Sequence, residues 1–255
     1  MESSLQRAGK ILEENRQVIA GMVVDKQYNL NPGYWEQFGT GGKEVSIRDA
    51  AYHLSFLSEA LRSENKHVFT NYIEWVKELF QNLQFSEVVL LNTLKCARDV
   101  VKEFMSEDAW SATEEYIEAG FQQIRKPVRE IPAYINEDNP LGVLAGAFHT
   151  ALLEGKKNEA SRMILEAVEQ GTPVRDIYQH VFRNSQLETG RLWQLNRISI
   201  AQEHYVTAAT QLIMSQLYSY IFSTRRKGYS FVGGCVGGEL HEIGIRMVCD
   251  FFEMD

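Results

Sequence analysis

The sequence predicts a mainly α-helical protein, and three observations carry that reading. Apolar residues recur at helical spacing through most of the chain. Prolines are scarce, five in 255 residues, and three of them (Pro127, Pro132, Pro140) fall together in one stretch rich in Asn and Asp. The period changes only near the C-terminus, where "YSFVGGCV" at 229–236 reads as a short buried strand.

Taken in order, residues 1–130 read as a helical domain interrupted by the turn-rich stretch "NLNPGYWEQFGTGGKEVS" at 29–46. Tyr52, Leu54, Phe56, Leu57, Ala60 and Leu61 mark one helix face, and Val68, Phe69, Tyr72, Ile73, Val76, Leu79 and Phe80 the next. Further helices are expected over about 86–104 and 108–125. Beyond the proline-rich linker, residues 140–226 read as a four-helix bundle, because the connections are short. Gly155 and Gly171 sit where a left-handed residue closes a helix, and Thr172-Pro173 opens the next as N-cap and first helical residue. Gly190 and Asn196 can loosen or end that helix. Ser199 with Gln202 forms a capping-box pattern that opens the last one, running to about Thr224 with Val206, Ala209, Leu212, Ile213 and Leu217 on its apolar face. Residues 229–255 then read as strand, Gly237-Gly238 turn and amphipathic helix, with Ile243, Met247, Val248, Phe251 and Phe252 on one side. That is the opening unit of a doubly wound α/β domain.

Composition narrows the function. The net charge is −8, and the basic residues cluster no further than Arg225-Arg226-Lys227, so direct binding to nucleic acid or to an anionic membrane is not expected. Cys96, Cys235 and Cys249 are too widely spaced for a disulfide framework or a zinc motif. Neither a signal-peptide core nor an apolar run of about 18 residues occurs, and a cytoplasmic location is the expectation.

Two motifs carry chemistry. In "GRLWQLNRISIAQEHYVTAA" (190–209), Trp193 falls on the last turn of one helix and Glu203-His204 on the first turn of the next. An aromatic plate and two ionisable groups then share one end of a helix pair. In "GGELHEIG", Glu239-x-His241-x-x-Gly244 follows the expected strand, at the carboxyl edge where open α/β sheets bind ligands.

A helical bundle followed by strand, Gly-Gly and (Asp or Glu)-x-His-x-x-Gly resembles the cobalamin-binding module of methionine synthase and its relatives. The resemblance implies His241 as lower cobalt ligand, with Glu239 bonded to its other ring nitrogen and Gly244 completing the motif. Imidazole suits cobalt, and such a carboxylate fixes the tautomer. Trp193, nine residues, then Glu203-His204 further resembles the light-sensing cobalamin repressors of the CarH type. That likeness implies Trp193 over an adenosyl group and His204 as a cobalt ligand once light has broken the cobalt–carbon bond. The N-terminal half lacks a helix-turn-helix signal and resembles the photocobilins, which implies a globin-like domain holding biliverdin without a thioether link. Arg48 and His53 are its cofactor-binding candidates, with Tyr34, Trp35, Phe56 and His67 also offered by residue type.

The resemblance from about 140 to 255 reaches only the first strand–helix unit of the α/β domain, so the sequence reads as a photoreceptor cut short there. Such a chain is expected to bind cobalamin poorly. Residues 229–255 are expected to fray, to dock their helix back on the bundle or to pair with another molecule. The function implied is a non-enzymatic light sensor using adenosylcobalamin, working as a homo-oligomer toward an unidentified output protein, with biliverdin as a second chromophore. Two alternatives stand: a corrinoid methyl carrier, and a helical interaction or bilin-only module that has lost cobalamin.

Overall fold

A computed structural model describes residues 2–128, 130–223 and 227–255. The expected helix end at Thr224 and the Arg225-Arg226 pair lie outside the described residues. The chain divides into two compact units, Met1–Arg129 and Glu130–Asp255. The described residues are mainly α-helical and include no strand. Among them, no helix is long and apolar enough to cross a membrane.

In the first unit, α1 (Ser4–Leu30) opens with a capping box between Ser3 and Gln6. Its buried Ala8, Leu12, Ile19 and Val23 lie along α3 (Gly39–Arg62). The two helices cross closely at Gly9, where a Cβ would stand 2.7 Å from the Ser58 carbonyl oxygen. The Ser58 hydroxyl donates to the Gly9 carbonyl at 2.7 Å across the same crossing. Helices α4 (Lys66–Asn82), α5 (Glu87–Glu103) and α6 (Glu107–Arg125) complete the core with Phe69, Ile73, Leu94, Val101, Ile117 and Phe121. Of the expected α3 face, Leu54, Leu57, Ala60 and Leu61 are buried, whereas Tyr52 and Phe56 are exposed.

The stretch 29–46 is more helical than its glycines suggest. Asn31 caps α2 (Pro32–Trp35), a 3₁₀ turn follows at Glu36–Phe38, and Gly39 already begins α3. Aromatic packing explains the difference: Trp35 stacks on Tyr28 with ring centres 4.7 Å apart, and Phe38 packs beside Trp35 and Phe85.

The second unit contains α7 (Gly142–Leu153), α8 (Lys157–Glu169), a long helical rod, α11 (Ile200–Gln216) and α12 (Tyr218–Ile221). The rod comprises α9 (Val174–Asp176), a π-helical turn at Ile177–Phe182 and α10 (Arg183–Gln194). Gly155 and Gly171 take φ of 75° and 95°, the left-handed closures read from sequence. Pro173 stands one position earlier than expected, as N-cap, and Gly190 stays inside α10. Phe148, Tyr178 and Phe182 meet at ring-centre distances of 5.3 to 5.4 Å in the core. Losing one such ring costs about 3–5 kcal/mol. Leu212, expected on the apolar face of α11, is exposed.

The expected strand at 229–236 is corrected: these residues are irregular, and Tyr229, Val232 and Val236 are solvated. A lone strand leaves its ladder groups unpaired on both edges, so nothing holds it extended. The helix after it does form, as α13 (Ile243–Glu253), and Ile243, Met247, Phe251 and Met254 pack on the second unit's core. Of the expected face, Val248 and Phe252 stay exposed; Phe252 stacks with Phe231 at 4.2 Å. Docking is fixed by polar contacts as well. Tyr178 donates to the buried Asp250 at 2.8 Å, Arg246 donates to the Ser215 hydroxyl at 2.7 Å, and Arg175 pairs with Asp255.

Candidate functional site

Helix α10 ends just past Trp193, and Asn196 with φ 54° turns the chain out of it. Ser199 then starts α11: its hydroxyl accepts the Gln202 amide at 3.2 Å, while the Gln202 side chain accepts the Ser199 amide at 3.0 Å. This reciprocal cap places Trp193 and the Glu203-His204 pair at adjoining ends of successive helices, separated only by residues 195–199. The indole is half-buried.

Glu203 lies in the first turn of α11, where the helix dipole favours a carboxylate. One of its oxygens bonds the His204 Nδ1, and the other accepts the Thr207 hydroxyl at 3.4 Å. A carboxylate accepting from Nδ1–H leaves Nε2 with its lone pair, the form that ligates a metal. The His204 side chain is 74% exposed against 25% for Glu203, so the acid anchors and the imidazole projects. Gln186 on α10 stiffens the arrangement from behind. Its carbonyl accepts from Thr207 at 2.9 Å and its amide donates to Thr210 at 3.1 Å. Sequence reading missed Gln186; the signal available was Thr207, one helical turn beyond Glu203.

The second pair repeats this chemistry in the loop before α13. One Glu239 oxygen meets the His241 Nδ1 at 2.6 Å and accepts the His241 backbone amide at 2.7 Å. Those bonds, the backbone amide foremost, hold the Glu239 carboxyl below its ordinary range. His241 is 90% exposed, so its Nε2 is accessible, and Gly244 lies in the first turn of α13 with open space around it. Each histidine thus pairs with its own acid. Among the described residues, no group of three His, Cys, Asp or Glu side chains could cage a metal. A single oriented imidazole would suit a metal whose remaining ligands come from a macrocycle rather than from the protein.

In the first unit the structure separates the two candidates. Trp35 and His53 line a cavity of about 490 Å³ that does not include Arg48, Tyr34 or Phe56 in its wall. Arg48 borders a different depression and pairs with Asp49 at 3.7 Å. His67, the remaining candidate there, lies in the first turn of α4 with its amide bonded to Asn65 at 3.0 Å.

Residues 144–218 match the family model of the B12 binding domain. The match supports a cobalamin-binding family for this helical region, with a cobalamin-type cofactor as its ligand. It spans α7 to the start of α12 and includes Trp193, Glu203 and His204, while Glu239, His241 and Gly244 lie beyond it. Comparison with curated proteins and with solved structures gave no match.

Proposed function

We propose that this chain is a light sensor that binds adenosylcobalamin beneath the Trp193 end of its helical bundle. The observation that carries the reading is a half-buried indole in the last turn of α10 followed by a carboxylate-tethered imidazole in the first turns of α11, inside the region matched to the B12 binding domain. An indole plate offers a stacking surface suited to a purine-bearing ligand rather than to a bare methyl group. The bound cofactor supplies a cobalt–carbon bond that light can break. Glu203 keeps the His204 proton at Nδ1, so that Nε2 stands ready as a ligand after the adenosyl group leaves. Glu239 holds the His241 ring in the same way, so that His241 would serve as the second protein ligand to the cofactor's cobalt. No protein group acts as acid, base or nucleophile on a substrate in this reading; the output is a change of conformation or assembly.

The test is reconstitution with adenosylcobalamin or methylcobalamin, followed by absorbance spectra before and after green illumination. Trp193→Ala should erase the preference for the adenosyl form. His204→Ala should bind normally in the dark but lose the long-lived illuminated spectrum. An illuminated spectrum that persists unchanged in His204→Ala would contradict the ligand role of His204, and a wild-type spectrum that illumination leaves unchanged would contradict the sensor reading.

A further inference from the structure

The first unit contains an apolar hollow that no function above uses. It measures about 490 Å³ and is walled by α3, α4, α5 and the aromatic turn before α3. This is within the range of small-ligand sites. Trp35, Phe38, Phe80, Phe85, Leu79 and Val89 supply apolar wall, and Val45 and Leu83, which also line it, are exposed.

The polar groups in the wall are mostly committed to one another. Gln27 donates to Thr93 at 2.6 Å, Thr93 to the Val89 carbonyl at 2.9 Å and Ser46 to the Gly42 carbonyl at 2.9 Å. The Trp35 indole N–H donates to the Gln27 carbonyl at 3.1 Å. His53 differs: Tyr72 engages its Nδ1 at 2.8 Å, which leaves Nε2 to offer.

Charge sets the ligand class. Neither Lys nor Arg lines the cavity; its one acid is Asp49. Burial raises the Asp49 carboxyl and lowers the His53 imidazole, so the wall holds no positive charge at neutral pH. An anion entering this space would lose its hydration without gaining a cationic partner.

We infer that this cavity is a binding site for a flat, uncharged aromatic ligand that stacks on its aromatic wall and hydrogen-bonds the His53 ring. The site is independent of the cobalamin reading, since every residue in it belongs to the first unit.

The experiment is a fluorescence titration of the full chain with N-phenyl-1-naphthylamine, an uncharged aromatic probe, in parallel with its anionic relative 1-anilinonaphthalene-8-sulfonate. The neutral probe should bind saturably at one site, and the sulfonate at least tenfold more weakly. Val89→Trp, which fills the cavity from α5, should weaken the neutral probe at least tenfold. Ser46→Leu repeats the filling from α3, and helical circular dichroism confirms which variants remain folded. Absence of saturable binding, or a titration unchanged in a folded filled variant, would overturn the site. Displacement of the probe by the dicarboxylate biliverdin at equal or lower concentration than by an uncharged aromatic competitor would overturn the ligand class.

Discussion

His53 gives the first unit a measurable sensitivity to acid. The residue is 7% exposed on α3, bonded to Tyr72 on α4, and burial lowers its pKa from 6.5 to about 4. A base whose folded pKa is depressed binds fewer protons folded than unfolded between those two values. Its contribution is therefore fully present above pH 6.5 and is lost as pH falls toward 4. The full difference of 2.5 units (6.5 minus 4) corresponds to about 3 kcal/mol, with roughly 2 kcal/mol already lost at pH 5. His53→Gln keeps an amide able to bond Tyr72 but cannot titrate. The assay is urea unfolding followed by tryptophan fluorescence, which favours this unit because Trp35, Trp75 and Trp110 lie in it. Comparing wild type with His53→Gln at pH 7 and pH 5 cancels the other histidines. The variant's loss on acidification should be smaller by about 2 kcal/mol. Parallel pH profiles for the two proteins would refute the burial argument.

Two other perturbations test the second unit. Tyr178→Phe removes the donor to buried Asp250 and should free α13. A hydrogen bond to a charged group contributes about 1.5–3 kcal/mol, so amide exchange in residues 243–254 should accelerate about tenfold to about a hundredfold. Asp250→Asn, which still accepts from Tyr178, should change it far less, and equal effects would deny the latch. Glu188 accepts two bonds from Arg191 at 2.9 and 2.6 Å and the Tyr134 amide at 2.9 Å. Burial alone would raise its carboxyl, but those bonds outweigh burial and hold it below the ordinary range. Glu188→Gln should destabilise the unit by about 3 kcal/mol near neutral pH. Since the depressed carboxyl stabilises only while ionised, that gap should narrow as pH falls below about 4.3. Calorimetric melting at pH 7 and pH 3.5 reads both effects, and a gap that widens in acid would count against the pairing.

Helices were legible where a local rule decides them. The Ser199-Gln202 capping box, the left-handed Gly155 and Gly171 and the 3.6-residue stripe of α4 all depend on neighbours within one or two turns. The strand at 229–236 was misread because a strand is decided by its partner, and sequence alternation says nothing about whether one is at hand. Residues 32–42 were misread for the converse reason, since Tyr28, Trp35, Phe38 and Phe85 stabilise by packing what Gly39, Gly41 and Gly42 disfavour by entropy. At the candidate site, the Glu239–His241 bond is what the family resemblance implies, whereas the Glu203–His204 bond was not foreseen. The bracing by Gln186 and the distance between Arg48 and His53's cavity arise from helix packing, which spacing along the chain does not encode.

The most direct test of the cobalamin account is the electron paramagnetic resonance spectrum of the protein, uniformly labelled with ¹⁵N and holding unlabelled cobalamin in its cobalt(II) state. Coordination by His241 predicts a doublet splitting of each cobalt line from the ¹⁵N imidazole, and its loss in His241→Ala. A triplet from the cofactor's own ¹⁴N base, present alike in wild type and variant, would contradict the account.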